Sequence, residues 1–247
     1  MVSPSDIVLI LGSGPQAPVA AGWPRAWFDR IVTINNAWSI RSDWDDLIFP
    51  EDFPRDRRPA APAPGQRLIG ADQFVPAQNK SGGFVFAGGT MAFTAGYWAL
   101  ETLRPKVMAW LGCDMVYPAS GPTHFYGTGT ADPLRADVTL QDLGAKSARL
   151  ALIAASRGCH CVNLSEGPSE LLFARLKPEN LRAAGVRPAS TGAVSDIMAA
   201  EKALSYGVPS GRYWEESHRF DARALARIDA QWRTTWESLP QSAGFAA

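Results

Sequence analysis

The chain has 247 residues, with 24 lysines and arginines balanced by 24 aspartates and glutamates, so its formal net charge is zero. This balance argues against a general nucleic-acid binder, which carries a basic excess. The three cysteines are too few, and odd in number, for a disulfide framework. The sequence shows neither a basic leader nor an apolar run of membrane-spanning length, so we expect a cytoplasmic protein.

Apolar runs that alternate with helical patterns predict a doubly wound, mostly parallel, Rossmann-like α/β sheet. In chain order, strands are expected near residues 6–11, 30–34, 46–49, 106–111 and 159–164, with helices near 90–103 and 139–157. Thr139 and Asp142 resemble a capping box, and Asp142 and Lys146 have the spacing of an i,i+4 ion pair. We place a nucleotide-binding domain at residues 1–175, with a proline-rich surface loop at 54–65.

Residues 176–247 are expected to form a C-terminal helical extension with helices near 195–206 and 221–238. The second helix carries a single apolar stripe of Leu225, Ile228, Trp232 and Trp236. The stripe predicts docking on the core; a partner surface, including one that makes a homo-oligomer, is the alternative.

The first strand leads into a glycine turn, Gly12-Ser13-Gly14-Pro15. A strand, a glycine turn and a helix start together expose backbone N–H groups that bind phosphate well. A purely structural turn is the alternative. The turn lacks the third glycine of the dinucleotide fingerprint, and no acidic residue ends the second strand, which argues against an ordinary NAD-dependent dehydrogenase.

Three further segments of the predicted sheet domain carry small or polar residues at the end of a strand or the start of a helix. Asn35 and Asn36 end the second strand, Gly88-Gly89-Thr90 opens a helix, and Asp114 follows the strand at 106–111. Asn35, Asn36 and Asp114 are candidates for holding a nucleotide because ligands of open α/β sheets sit at the carboxyl ends of the strands. Gly88-Gly89-Thr90 is a candidate because a helix N-terminus offers backbone N–H donors. Strand-end turns and helix caps remain the structural alternatives.

The segment at 118–137 contains several glycines and is expected to be a lid loop over the crevice. It contains His124 and Tyr126. His124 suits a general base at neutral pH. Farther along, Cys159-His160-Cys161 has the composition of a metal-site fragment, but no second Cys or His cluster completes four ligands. Alternating side chains on a strand are therefore favoured there, and no metal site is predicted.

Taken in order, these motifs resemble those of the small, metal-independent bacterial sialyltransferases and their relatives, the motility-associated glycosyltransferases and archaeal-type hydroxymethylpterin pyrophosphokinases. The similarity spans about residues 6–170, and order and spacing carry it. Ser13 stands where the sialyltransferases have asparagine, Gln16 where they have serine, and their second lid histidine falls near Thr128. The counterparts are Gly12-Ser13-Gly14-Pro15-Gln16, Asn35, Gly88-Gly89-Thr90, Leu111-Gly112-Cys113-Asp114 with Tyr117, and His124-Phe125-Tyr126-Gly127.

The resemblance implies a glycosyltransferase that moves a sugar from a nucleotide donor, with a CMP-linked sugar favoured, to a hydroxyl acceptor without a required cofactor. In that reading His124 deprotonates the acceptor, and Tyr117 and Tyr126 assist departure of the phosphate. The implied nucleotide-binding residues are Gly12, Ser13, Gly14, Pro15, Asn35, Asn36, Gly88, Gly89, Thr90 and Asp114.

Two alternatives stay open. A pterin pyrophosphokinase-like enzyme would require magnesium held by Asp114 or Asp52. A non-catalytic nucleotide-binding or interaction module would have kept the fold and lost the chemistry, which fits Ser13, Gln16 and the shortened lid.

Overall fold

A computed structural model of the chain describes residues 6–117, 120–128, 136–183 and 191–239. These residues contain a single seven-stranded sheet with the strand order β4-β3-β2-β1-β5-β6-β7, and every neighbouring pair is parallel. The strands are β1 (Ile7–Leu11), β2 (Arg30–Ile34), β3 (Asp46–Ile48), β4 (Arg67–Ile69), β5 (Val107–Leu111), β6 (His160–Asn163) and β7 (Ala174–Arg175).

The strand order reverses at β1, which pairs with β2 on one side and with β5 on the other. The β1–β5 register runs from Ile7 opposite Val107 to Leu11 opposite Leu111, so the two strands end level. This reversal is the topological switch point at which doubly wound sheets bind ligands. The α-helices are α1 (Ala71–Asn79), α2 (Phe84–Ala87), α3 (Met91–Thr102), α4 (Leu143–Ser156), α5 (Thr191–Ala203) and α6 (Ala222–Glu237).

Both faces of the sheet are buried, which explains why the strands read as continuous apolar runs. Val8 and Ile10 of β1 face a core shared with the α-helices, whereas Leu9 and Leu11 face the opposite core. Short 3-10 helices cover that second face at Ala17–Gly22, Arg25–Trp27 and Asn35–Ile40. The predicted doubly wound α/β class is therefore confirmed.

The predicted start of the helix at 139–157 is wrong. Thr139 lies in a short 3-10 helix, and Asp142 caps α4 by accepting a hydrogen bond from the amide of Ala145 at 2.8 Å. Asp142 pairs with Arg233 of α6, and Lys146 pairs instead with Asp229 at 2.7 Å. Partners from α6 thus replace the local pairing expected from spacing alone.

The apolar stripe of α6 packs on the core: Leu225, Ile228 and Trp232 are buried in it, and Trp236 is half-buried against it. Within the described residues, the extension covers the same sheet face as α3 and α4. None of the helices in the described ranges combines the length and apolarity needed to cross a membrane.

A buried ion pair at the centre of the helical layer holds this extension in place. Arg149 of α4 donates to both carboxylate oxygens of Glu201 of α5, each at 2.7 Å, and also to the Tyr97 hydroxyl of α3 at 2.6 Å. The Trp232 indole donates to Glu201 from α6 at 2.7 Å. Burial disfavours the charged Arg149, but Glu201 and Tyr97 outweigh it and raise the pKa of the guanidinium. The pair therefore links four helices.

Candidate functional site

A cavity of about 1110 Å³ opens at the carboxyl ends of β1, β2 and β5, at the switch point of the sheet. Its walls also include the predicted lid and part of the C-terminal extension. Most of the predicted site residues lie in its lining, namely Gly12, Ser13, Gly14, Pro15, Asn35, Gly89, Thr90, Asp114, Tyr117, His124 and Tyr126.

Two predicted nucleotide-binding residues, Asn36 and Gly88, lie outside the lining. Asn35 has a positive φ of 51°, and the chain continues into a 3-10 helix in which the Asn36 carbonyl accepts a hydrogen bond from the Ser39 hydroxyl at 2.9 Å. Gly88 also has a positive φ, and a Cβ there would lie 3.1 Å from Cγ of Lys146. Both positions therefore have a local structural role.

The glycine turn after β1 interlocks with the turn after β5. The amide of Gly12 donates to the carbonyl of Leu111, and that of Gly14 donates to the carbonyl of Gly112, both at 2.8 Å. A Cβ on Gly12 would come within 2.5 Å of Sγ of Cys113. Because these two amides are already bonded and Pro15 has none, close packing of the two turns explains the glycines, and phosphate binding by this turn stays a prediction.

The described part of the predicted lid, residues 120–128 and 136–137, docks on the glycine turn; the rest of 118–137 lies outside the described residues. The amide of Phe125 donates to the carbonyl of Ser13 at 2.9 Å. His124 and Gly127 exchange two backbone hydrogen bonds of 2.9 and 3.1 Å, which closes a tight turn. These contacts place the His124 ring at the cavity.

The three side chains predicted to be catalytic come together in one cluster. The rings of His124 and Tyr126 stack at 4.9 Å between centroids, and the ring of Tyr117 lies 6.2 Å from that of His124. The His124 Nδ1 atom lies 2.9 Å from the Thr123 hydroxyl oxygen. Tyr126 is 46% exposed, so its ring forms part of the cavity rim.

Two polar side chains face the cavity from the ends of the central strands. The Oδ1 atom of Asn35 is buried and has no hydrogen-bond partner among the described residues. The carboxylate of Asp114 accepts a long hydrogen bond of 3.4 Å from the side-chain amide of Asn163. Asn35 Oδ1 therefore remains as an acceptor for an N–H or O–H donor of a ligand.

One wall of the cavity comes from residues that the sequence did not point to. Asp137 accepts hydrogen bonds from the Thr139 hydroxyl at 2.7 Å and from the Tyr213 hydroxyl at 2.8 Å. The Thr139 hydroxyl in turn accepts from the amide of Gly89 at 3.1 Å. These hydrogen bonds join the end of the lid, the start of α3 and the C-terminal extension. The run of aromatic and charged residues at 212–216 carries no helical or strand period, so no pattern in the sequence assigns it to the site.

Most of the charged residues that line the cavity are acidic. Its described charged residues are one arginine, Arg212, and four carboxylates, those of Glu51, Asp52, Asp114 and Asp137. The guanidinium of Arg212 lies 3.5 Å from Glu51 and 3.7 Å from Glu215, so two carboxylates offset its charge. Bound anions therefore meet a repulsive field unless a cation accompanies them.

The cysteines are poor candidates for chemistry. Burial raises the pKa of Cys113 well above its usual value, so the one thiol in the lining stays protonated. Burial likewise raises the pKa of Cys159 to about 12, and Cys161 is buried beside it. Across the described ranges, no group of three or more His, Cys, Asp or Glu residues is arranged to hold a metal ion.

Comparison of the chain with protein-family models, with curated proteins and with solved structures finds no match in any of the three. The resemblance to sialyltransferase-like enzymes therefore rests on the motifs themselves.

Proposed function

We propose that this chain is a glycosyltransferase-like enzyme that binds a nucleotide-activated sugar, with a CMP-linked donor favoured, and transfers the sugar to a hydroxyl acceptor. The observation that carries the proposal is the clustering of Tyr117, His124 and Tyr126 at a large cavity on the sheet switch point. Switch-point cavities are where doubly wound folds hold nucleotides, and convergent polar side chains mark a functional pocket.

In this mechanism His124 takes the proton of the acceptor hydroxyl. The role requires the tautomer in which Nδ1 donates to Thr123, so that Nε2 carries the lone pair. The hydroxyls of Tyr117 and Tyr126 donate to the phosphate oxygens as negative charge develops on the leaving nucleotide. Asn35 Oδ1 accepts a hydrogen bond from the nucleotide-sugar and so orients it. Holding both substrates in one cavity lowers the entropic part of the activation barrier.

The first test is a thermal-shift screen with CMP, CDP, UDP, GDP, ATP and NAD, each with and without magnesium. A ligand at 100 times its Kd stabilises the fold by about 2.7 kcal/mol, which raises the melting temperature measurably. We expect CMP to produce this shift without magnesium. If CMP produces no shift, the proposal fails.

The second test replaces the base. With a CMP-sugar donor, we expect His124→Ala to lower kcat by about 10²–10⁴-fold, because general-base catalysis contributes that much. His218→Ala is the matched control, since His218 is exposed and lies outside the lining. An unchanged kcat in His124→Ala would remove the residue from this role.

The acidic lining favours a second candidate, a magnesium-dependent enzyme that acts on a purine triphosphate. Asp52 and Asp114 both line the cavity, and Mg²⁺ in such enzymes commonly takes one or two carboxylates together with substrate phosphates. These residues would hold the ion, which would neutralise phosphate charge. A shift that needs both ATP or GTP and magnesium supports this candidate, and Asp114→Asn should abolish it. Nucleotide binding without turnover would instead indicate a non-catalytic module.

A further inference from the structure

Exposed apolar side chains gather at the cavity. Four large hydrophobic side chains are exposed among the described residues, and three of them, Val116, Tyr126 and Trp214, line this cavity. The fourth, Val19, lies elsewhere. Trp214 is the most exposed of the set, at 60%. Exposed apolar surface concentrated at one cavity marks a binding surface rather than chance exposure.

The backbone that carries Trp214 is held firmly. The preceding residue, Tyr213, is buried; its ring stacks on Phe84 with centroids 6.1 Å apart, and its hydroxyl bonds to Asp137 at 2.8 Å. Gly211 has a φ of +77°, and a Cβ there would lie 2.9 Å from Cγ2 of Val75, so the segment packs closely against α1. Trp214 therefore projects from a rigid frame.

The Trp214 ring is also oriented within this frame. It meets the Tyr213 ring edge to face, with centroids 5.5 Å apart and planes at 77°. An exposed aromatic face at a cavity gives a ligand a large apolar contact, and a tryptophan has only two side-chain torsions to fix on binding. An exposed indole face at a cavity has the shape to stack on a flat or nearly flat ligand group.

The charges beside the Trp214 ring select the ligand. The charge of Arg212 is offset by Glu51 and Glu215, and the carboxylates of Asp52, Asp114 and Asp137 also line the cavity, so a phosphorylated group is disfavoured at this wall. Carboxylates accept hydrogen bonds from hydroxyl groups. A pyranose ring combines an apolar C–H face, which stacks on an indole, with hydroxyls at its edge, which suit Glu51 and Asp137.

We infer that Trp214 is the stacking platform of a subsite for a neutral saccharide. Assigning that saccharide as the acceptor of the transfer rests on the proposed function, whereas its binding does not. Because the segment that carries the platform belongs to the C-terminal extension, the extension supplies part of the site rather than only covering the core.

The test is saturation-transfer NMR of the full chain with lactose, maltose and N-acetyllactosamine as probes. At least one of these sugars should give a saturation-transfer signal, and the signal should be strongest for the C–H protons on one face of the sugar ring. Trp214→Ala should remove at least nine-tenths of that signal, Trp214→Phe should retain a substantial part, and Val19→Ala should leave it unchanged. Because Trp214 and Val19 are both largely exposed, we expect all three variants to keep the wild-type melting temperature.

The inference is overturned if none of the three sugars gives a saturation-transfer signal with the wild-type chain, or if Trp214→Ala retains the wild-type signal. The CMP thermal shift, measured on the same samples, separates the two proposals. Sugar binding without a CMP shift would retain the subsite and reject the nucleotide-sugar reaction. A CMP shift that persists in Trp214→Ala while sugar binding is lost would support both.

Discussion

Removing the carboxylate of Glu201 should destabilise the whole molecule, because it leaves a buried charge without its partner. Arg149 is fully buried, and Glu201 is 1% exposed. Three hydrogen bonds of 2.7 Å end on this carboxylate, two from Arg149 and one from the indole of Trp232. In Glu201→Ala the guanidinium keeps its neutral acceptors, Tyr97 and the Ser81 carbonyl, but has no countercharge.

Breaking a buried ion pair from one side typically costs about 3–5 kcal/mol, whereas a domain is stabilised by only about 5–15 kcal/mol in total. We therefore expect Glu201→Ala to lose about 3–5 kcal/mol of unfolding free energy. Glu201→Gln should fall between the wild type and Glu201→Ala, since the amide oxygen still accepts one or two hydrogen bonds but carries no charge. The loss should also loosen the wall that carries Trp214.

Urea unfolding followed by circular dichroism measures this loss. With an m-value of about 3 kcal/mol/M, the midpoint of Glu201→Ala should fall by roughly 1 M or more. Asp196→Ala, an exposed acid on the same helix, is the matched control and should stay within about 0.5 kcal/mol of the wild type. A loss under 1 kcal/mol in Glu201→Ala would refute the assignment of this pair as the link between the helices.

Two further predictions concern the turns at the switch point and the cap of α4. Gly12→Ala places a methyl group within 2.5 Å of the Cys113 sulfur and should cost about 1–3 kcal/mol in urea unfolding, whereas Gly22→Ala, which meets nothing within 4 Å, should cost far less. Burial raises the pKa of Asp142, but hydrogen bonds from Arg233 and the α4 amide outweigh it, so its pKa is lowered in the folded state. A lowered pKa stabilises the fold above the ordinary value of 3.8 and loses that effect as the pH falls through the folded pKa. The stability gap between the wild type and Asp142→Asn, about 0.5–1 kcal/mol at pH 7, should therefore close below pH 3.8, and a pH-independent gap in urea unfolding would contradict this assignment.

The central strands were predictable because burial on both faces demands continuous apolar runs, as in Ile7–Leu11. The edge strands Arg67–Ile69 and Ala174–Arg175 were missed because they are short and mostly not buried, so they lack the apolar run that reveals a central strand. Helix α1 was also missed; it contains Pro76, which reads as a helix breaker, although it lies more than one turn inside.

The candidate site divides in the same way. Residues that follow strands are placed by the sheet, so the sequence predicted that Asn35 and Asp114 would meet at one edge, and the structure brings them to one cavity. The wall at 210–217 arrives from far along the chain through the packing of α5 and α6 on α4. No local pattern encodes that approach, so Trp214 could not be assigned to the site from sequence.

The charge of the cavity bears on the choice between the two candidate functions. A carboxylate about 6 Å from a phosphate oxygen costs roughly 3 kcal/mol at an effective dielectric constant of about 20. A His124 that is to accept a proton must be neutral when the donor binds, so it cannot also offset the phosphate. Metal-free transfer therefore leaves the phosphate to neutral donors, chiefly the hydroxyls of Tyr117 and Tyr126. Magnesium bound to Asp52 or Asp114 would remove the repulsion between carboxylate and phosphate, because the carboxylates would then be metal ligands. The nucleotide screen with and without magnesium therefore discriminates between the two mechanisms as well as between the ligands.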